Sequence, residues 1–487
     1  MRAMRGAMFG RMSLVALVAL LALPARAELQ AEDLEIRVLL AEQQPEMEKL
    51  LADWVDRNTG SWNTAGLEAF APLVVEPLKT LGFEVTIEPG VPLDYPDRKD
   101  ARTGPLIVAQ RKAQIAPENA RHFLLLGHTD TVFEPDSDFQ KLAADPNSPR
   151  RAIGPGVIDM KGGLVVLLYA LRALAESGDL SRADFTVMVN SDEEIGSLGS
   201  RPRIEAEARS AQLGFVFEPA RETGEMARSR SGVGQFHLAV EGVASHVATS
   251  QRDGRSAIVA LAKKVIAIES LTDYERGIIL NVGTISGGTK RNIVPDHAEA
   301  WIDVRFDEIA QGQEVQRELE RIAAANDGAG TSAKLWGRLH RPPKPESAEV
   351  DRLLAAHRKV AIELGLPSPE AVHSAGVTDG SIMAEVGLPT LDSMGVRGGG
   401  AHTDKEWIEL SSLSERATLA AILLRQLARE APDEPGAPAR REPAPEPPAP
   451  AQPEPPEKSG LPRGGVKLES PRPSPPVIAG SRPVVGP

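Results

Sequence analysis

The sequence predicts an α/β fold in which a sheet-and-helix sandwich domain is interrupted by an inserted ferredoxin-like α+β domain. Three observations lead to this fold class. Short apolar strands alternate with helices up to about residue 230, an order of β-α-β-β-α-β follows over about 110 residues, and the first pattern then returns. The main domain is therefore expected to be discontinuous along the chain.

The first part of the main domain, residues 28–230, contains short apolar or β-rich runs that each end in a polar cluster. These runs predict strands at 122–126, 185–189 and 213–217, with helices at 164–174 and 203–209. In a sheet of this type, functional residues collect at the carboxyl ends of the strands. The chemistry of the protein is expected at that edge.

The inserted domain is predicted to span residues 231–340 and to act as a dimerisation or lid domain. Its pattern predicts strands at 235–240, 278–285, 298–306 and 333–339, and helices at 256–268 and 314–324. The second part of the main domain, 341–430, then contributes a helix at 350–364, a short strand around Leu391 and a helix at 413–428.

The start of the chain resembles an export signal. Arginines precede an apolar run at 14–23, and residues 24–27 end in the Ala-x-Ala form of a signal-peptidase site. We expect a signal peptide at 1–27, cleavage after Ala27, and a periplasmic or secreted protein with no stable membrane insertion. The alternative is an uncleaved anchor helix, although the run is far shorter than the roughly 20 residues that span a bilayer.

The end of the chain, residues 431–487, is rich in proline, with 18 of the 40 prolines of the chain. Proline lacks a backbone donor, and the apolar residues of this segment have no period, so it cannot form a packed core. We expect a disordered tail or an extended spacer. A role in docking to peptidoglycan or to a partner is the alternative.

Charge and composition exclude several classes of function. A formal net charge of −13, without a cluster of Lys and Arg in the body of the chain, argues against nucleic-acid binding. The chain contains no cysteine, which excludes disulfides, thiolate nucleophiles and cysteine-ligated metals. Any metal must therefore be held by His, Asp and Glu.

Acidic and imidazole groups follow several of the predicted strands. Each has an ordinary explanation, such as a His–Asp hydrogen bond, a helix cap or an acidic helix start. Five such groups at the ends of strands of one sheet, in a chain without cysteine, are better explained by a shared metal site. The five candidate ligands are His128, Asp159, Glu194, Glu218 and His402.

Five motifs resemble the M20 family of zinc metallopeptidases, and most closely its glutamate carboxypeptidase, or carboxypeptidase G2-like, branch. They are Gly-His-Thr-Asp at 127–130, Gly-Val-Ile-Asp-Met-Lys-Gly-Gly at 156–163, Ser-Asp-Glu-Glu at 191–194, Phe-Glu-Pro at 217–219 and Ala-His-Thr-Asp at 401–404. The resemblance covers about residues 34–427 and excludes both ends.

The resemblance implies two zinc ions per subunit. His128 and Glu218 would bind one ion, Glu194 and His402 the other, and Asp159 would bridge them. It also implies a cis peptide bond after Asp159.

The resemblance assigns further roles outside the metal ligands. Asp130 would orient His128, and Glu193 would be the general base. His246 would reach the active site of the partner subunit in a homodimer, while Asn292, Arg305 and, on a two-residue match, Arg341 would bind carboxylates of the substrate.

These features predict a di-zinc carboxypeptidase that removes a C-terminal amino acid, with glutamate favoured, from a small peptide or an N-acyl amino acid. A dipeptidase or an N-acyl-amino-acid deacylase of the same family is the enzyme alternative. A non-catalytic scaffold on a peptidase fold is the other alternative, although such relatives usually lack a ligand or the base.

Overall fold

The computed structural model describes residues 29–430 except 94–97, 99 and 327–329. The predicted signal peptide, 1–27, and the proline-rich segment, 431–487, lie outside the described residues. Within the described part of the chain, no helix combines the length and the apolar character needed to cross a bilayer.

The first part of the chain alternates helices and strands, and all of the strands predicted there are confirmed. In chain order its elements are α1 (Ala31–Glu42), α2 (Gln44–Val55), α3 (Thr64–Thr80), β1 (Glu84–Glu88), β2 (Leu106–Arg111), β3 (His122–His128), β4 (Ala143–Asp145), β5 (Ser148–Ile153), α4 (Gly162–Glu176), β6 (Asp184–Asn190), α5 (Arg201–Ser210), β7 (Leu213–Val216) and β8 (Met226–Arg230).

The middle of the chain has the predicted order β-α-β-β-α-β, with two short strands added. Its elements are β9 (Gly232–Glu241), β10 (Ser245–His246), α6 (Ala257–Glu269), β11 (Ile279–Gly287), β12 (Ile293–Val294), β13 (His297–Phe306), α7 (Ile309–Ala324) and β14 (Ser332–Arg341). Helix α7 begins at Ile309 rather than at residue 314, because Gln311 Oε1 accepts the N–H of Glu308 and closes the first turn.

The last part of the described chain returns to the main sheet. Its elements are α8 (Ala348–Glu363), β15 (Ala371–Ser374), α9 (Gly380–Glu385), β16 (Thr390–Leu391), β17 (Gly398–Gly399), β18 (Trp407–Glu409) and α10 (Ser412–Arg429).

The main sheet has the strand order β1-β2-β6-β3-β7-β16. Strand β3 lies between β6 and β7 and is parallel to both, whereas β2 is antiparallel to β6. Successive residues of β3 enter different apolar clusters: Leu125 packs with α4 and α10, and Leu124 packs with α5 and α9. Helices thus cover both faces of a mixed sheet, and the carboxyl ends of β3, β6 and β7 lie at one edge.

The second sheet is antiparallel, with the order β11-β13-β9-β14 that is typical of ferredoxin-like domains. One face of β9 carries Phe236, Leu238 and Val240, which pack with residues of α6 and α7 in a separate apolar core. The other face carries Val233, Gln235 and His237 and has no helix in the described part of the chain. The fold class is therefore confirmed, with an α/β domain and an inserted α+β domain.

Candidate active site

The strand ends of the main sheet bring three acidic or imidazole side chains together. His128 is the last residue of β3 and pairs with Asn190 at the end of β6, three residues before Glu193. Glu218 follows the end of β7. At Gly163, an added Cβ would lie 2.0 Å from the carbonyl oxygen of Phe217, so glycine is needed for α4 to begin this close to β7. The local backbone therefore presents these side chains at one edge.

Asp159 lies between two imidazoles. Its Oδ1 is 3.2 Å from His128 Nε2, and its Oδ2 is 3.2 Å from His402 Nε2. Glu218 Oε1 lies 3.5 Å from the same nitrogen of His128, and Glu194 Oε2 lies 3.2 Å from that of His402. The five predicted ligands thus form two histidine–carboxylate clusters that share one aspartate.

Asp130 supports both the imidazole and the acidic turn. His128 Nδ1 lies 2.9 Å from the carbonyl oxygen of Asp130 and 3.4 Å from its Oδ1. The Asp130 carboxylate accepts the backbone N–H groups of Glu193 and Glu194, both at 3.1 Å, and the hydroxyl of Ser61. This buried residue directs His128 Nε2 towards Asp159 and fixes the start of the glutamate turn.

The loop that carries Asp159 is held by a residue that the sequence did not indicate, Glu406. The carboxylate of Glu406 accepts the backbone N–H groups of Gly156, Ile158 and Asp159 at 2.9–3.2 Å. Burial and the charge of Asp159 raise the pKa of Glu406 to about 8, and these N–H groups act in the opposite direction. The peptide bond between Asp159 and Met160 is cis, as the resemblance implies.

The electrostatics of the site reflect an excess of buried carboxylates. Burial and the charge of Asp159 raise the pKa of Glu218 to about 7, and burial raises the pKa of Glu193 well above its usual range. Hydrogen bonds to Asp159 and Glu194 raise the pKa of His402 to about 11. Glu193 and Glu218 favour their neutral forms and His402 its cationic form, so the site favours additional positive charge.

The donor set fits a pair of divalent cations. In one group, a ring nitrogen of His128 and one carboxylate oxygen each of Glu193 and Glu218 lie within 4.8 Å of one another. In a second group, the same holds for His128, Asp159 and Glu194. In the described part of the chain, Glu194 Oε1 is buried without a hydrogen-bond partner. Imidazole nitrogens and carboxylate oxygens without thiolates are ligands that zinc accepts.

Four of the five candidate ligands line a cavity of about 540 Å³ between the two sheets, namely Asp159, Glu194, Glu218 and His402. One wall comes from the second sheet and includes Val233, Gln235 and Arg305. The guanidinium of Arg305 donates to both carboxylate oxygens of Asp303, at 2.7 and 3.1 Å, and is about one-third exposed. Arg305 is therefore a cation at the cavity wall whose charge is shared with Asp303.

Residues 124–426 match the sequence model of peptidase family M20/M25/M40. The chain belongs to this family. The chain is 28% identical over 394 residues to carboxypeptidase G2 of Pseudomonas sp. (strain RS-16). This alignment covers 79% of this chain and 90% of that protein. The chain is 26% identical over 325 residues to succinyl-diaminopimelate desuccinylase 2 of Shewanella loihica, covering 62% of this chain and 82% of that protein.

The M20 fold is also found in solved structures. An M20 family metallo-carboxypeptidase from Sulfolobus solfataricus superimposes with a TM-score of 0.63 at 17% identity, covering 79% of this chain and 99% of that one. At this identity the similarity is one of fold. It agrees with the two sheets described above.

Two predicted substrate-side residues of this M20 chain lie away from the cavity wall. His246 in β10 pairs with Ile293 in β12, and Asn292 adjoins that strand. Both side chains are exposed, and neither lines the cavity formed by the described residues of the single chain. The structure thus places His246 and Asn292 near each other and apart from the five candidate ligands.

Arg341 lines the cavity, but its guanidinium is already hydrogen-bonded to other groups of the protein. Its guanidinium donates to Asp379 at 2.6 Å, to Ser197 Oγ at 3.0 Å and to the carbonyl oxygen of Glu193 at 2.7 Å. It also lies 3.0 Å from Glu193 Oε1, with 3% of the Arg341 side chain exposed. In this structure the guanidinium therefore supports Glu193, and the substrate role of Arg341, which also lines the cavity, stays a prediction.

Proposed function

We propose that the protein is a di-zinc carboxypeptidase that hydrolyses the amide bond between a C-terminal amino acid, with glutamate favoured, and a peptidyl or N-acyl group. The observation that carries this proposal is the position of Asp159, whose two oxygens lie at equal distances from His128 and His402. The similarity to carboxypeptidase G2 over most of both chains supports carboxypeptidase activity rather than another activity of the family.

The residues of the chain fit the individual tasks of amide hydrolysis. Asp159, His128, Glu218, Glu194 and His402 would hold two cations. When bound, such cations supply Lewis-acid polarisation of a carbonyl and acidify water. The Glu193 carboxylate, whose pKa burial raises, can accept a proton from water and pass it to the leaving amine. Arg341 positions that carboxylate from one side.

The preference for an acidic substrate follows from charge. The body of the chain, residues 28–430, holds 61 acidic and 44 basic side chains, so its overall field repels anions. A substrate with carboxylates needs a local cation, and Arg305 lies at the cavity wall. Its planar guanidinium can donate two parallel hydrogen bonds to a carboxylate.

Hydrolysis of N-acyl-glutamates and glutamate-terminated dipeptides is expected to exceed hydrolysis of neutral analogues, and a chelator should abolish it. The measurement is release of the free amino acid from a matched panel, before and after chelation and after Zn²⁺ is restored. Release that survives chelation would contradict the metal site. Faster release from dipeptides with neutral residues, or from N-succinyl and N-acetyl amino acids, would favour the dipeptidase or deacylase alternative. A chain that binds metal but releases nothing would favour the scaffold alternative.

We also propose a homodimer that completes the site with His246. Support comes from the inserted domain, where α6 exposes Ile258, Val259 and Ile266, the last with 72% of its surface accessible. Helix α6 packs beside β11, which is an edge strand in the described part of the second sheet and exposes Ile285. An apolar helix face next to an unpaired strand edge suits a symmetric contact between two copies.

If His246 acts across this dimer, mixing inactive His246→Ala and Glu193→Gln chains should restore activity. With free subunit exchange, half of the dimers are mixed, and each holds one intact composite site, so about one quarter of the wild-type activity is expected. Turnover is measured after exchange has been verified with labelled chains. As a control, a chain carrying both changes is mixed with His246→Ala, which creates no intact site. Equal activity in the two mixtures would place His246 outside catalysis or within its own subunit's site.

A further inference from the structure

Glu406 is a buried carboxylate without a role in the proposed chemistry. It is fully inaccessible to solvent. Its Oε1 accepts the N–H groups of Ile158, at 2.9 Å, and Asp159, at 3.1 Å, while its Oε2 accepts that of Gly156 at 3.2 Å. Three backbone N–H groups of one loop thus point at a single side chain.

The three N–H donors require that both terminal atoms of the residue 406 side chain accept hydrogen bonds. Gly156 has a φ of +67°, a left-handed conformation that favours glycine. A buried N–H group without a partner costs about 1–3 kcal/mol. A carboxylate accepts at both oxygens, whereas an amide places an NH₂ group against one of the backbone donors. Glutamine has the same shape but cannot satisfy all three donors.

Glu406 also belongs to the segment that carries His402. Its own N–H group donates to the carbonyl oxygen of Thr403, and its carbonyl oxygen accepts the N–H of Gly154 at 3.1 Å. Strand β18 begins at the next residue and pairs with β5, which ends just before Gly154. The Asp159 loop and the His402 loop are therefore joined through the backbone and the side chain of one residue.

We propose that Glu406 is a positioning residue that sets the placement of Asp159 relative to His402 and thereby the affinity of the site for divalent metal. This inference rests on the proposed metal site. Asp159 has no other described contact that fixes its backbone N–H, and it faces both imidazoles. A shift of its loop by a fraction of an ångström changes the distance to both His128 and His402, so both cation positions depend on it.

Glu406→Gln is expected to weaken binding of Zn²⁺ about 10- to 100-fold, which is typical when a group that supports a ligand is lost. The measurement is competition between the metal-free protein and a chromophoric chelator, together with the thermal unfolding of the metal-free and the loaded forms. Asp179→Asn is the matched control, because it also removes a buried carboxylate charge, but its partners are Arg425 and Arg429. The control should lose thermal stability without losing metal affinity.

The outcomes separate this proposal from the proposed function. A wild-type chain that binds no Zn²⁺ would overturn the metal site itself. Wild-type affinity in Glu406→Gln, with a lower unfolding temperature in both forms, would show that Glu406 has a structural role alone and would overturn the positioning role. If Glu406→Gln does not fold, Glu406→Asp is measured instead. Aspartate keeps the charge but is one methylene shorter, so the same weakening of Zn²⁺ binding is expected. Wild-type Zn²⁺ affinity in Glu406→Asp would overturn the proposal.

Discussion

Replacing Glu193 by glutamine is expected to lower kcat about 100- to 10,000-fold, the range that a positioned general base contributes. The amide keeps the shape of the side chain but cannot accept a proton from water. Binding of two metal ions should persist, because the five candidate ligands form the two clusters around Asp159 without Glu193. Turnover and metal stoichiometry are measured on the same preparation.

The neighbouring residue provides the control for this experiment. Glu194 lies 3.2 Å from His402 Nε2 and is a proposed ligand, so Glu194→Gln should lose metal as well as activity. If Glu193→Gln loses metal to the same extent, Glu193 is a ligand rather than the base, in agreement with its closeness to His128 and Glu218. If it keeps wild-type turnover, another group accepts the proton.

Arg305→Ala is expected to lower kcat/KM for glutamate-terminated substrates roughly 30-fold or more. Truncating one side of a charged hydrogen-bonded pair in a closed site costs about 2 kcal/mol at the lower end of the measured range. The lower end applies because Arg305 is about one-third exposed and shares its charge with Asp303. Substrates that end in a neutral residue should lose much less, so the ratio of the two values of kcat/KM is the measured quantity.

Arg338→Ala is the matched control for this substitution. Arg338 pairs with Gln235 in the register of β14 and β9, is exposed, and does not line the cavity. Its removal changes the net charge by the same amount, which tests for a general field effect. Equal losses in the two variants would attribute the effect to that field, and unchanged kinetics in Arg305→Ala would remove the argument for glutamate.

The sequence predicted the strands that hold the metal residues because those strands are continuous apolar runs. Strand β3 is buried from Phe123 to His128, and its apolar character predicts both the strand and its end. Strand β1 was missed, since it lies at the sheet edge and is mostly exposed, with the sequence Glu-Val-Thr-Ile-Glu. Helices α1–α3 were also not predicted, although they cover one face of the main sheet.

The contacts that support the candidate site could not be read from local patterns. Glu406 and Asp159 are 247 residues apart, and Arg341 and the Glu193 backbone are 148 residues apart. No periodicity or motif relates such distant positions in a single sequence. The loop motifs place the side chains that face the cavity, whereas the partners that hold those loops become visible only once the sheet has brought both segments together.

The five candidate ligands all come from the main domain, whereas Gln235 and Arg305 reach the cavity from the inserted sheet. Under the proposed function, the metal ligands and part of the substrate-contacting wall would thus be encoded in separate parts of the molecule. If the proposed function holds, exchanging side chains on the inserted sheet is expected to change the preferred acyl or amino-acid group while the metal ligands are retained. This separation makes the exposed face of β9 and β13 the place to begin a redesign of specificity.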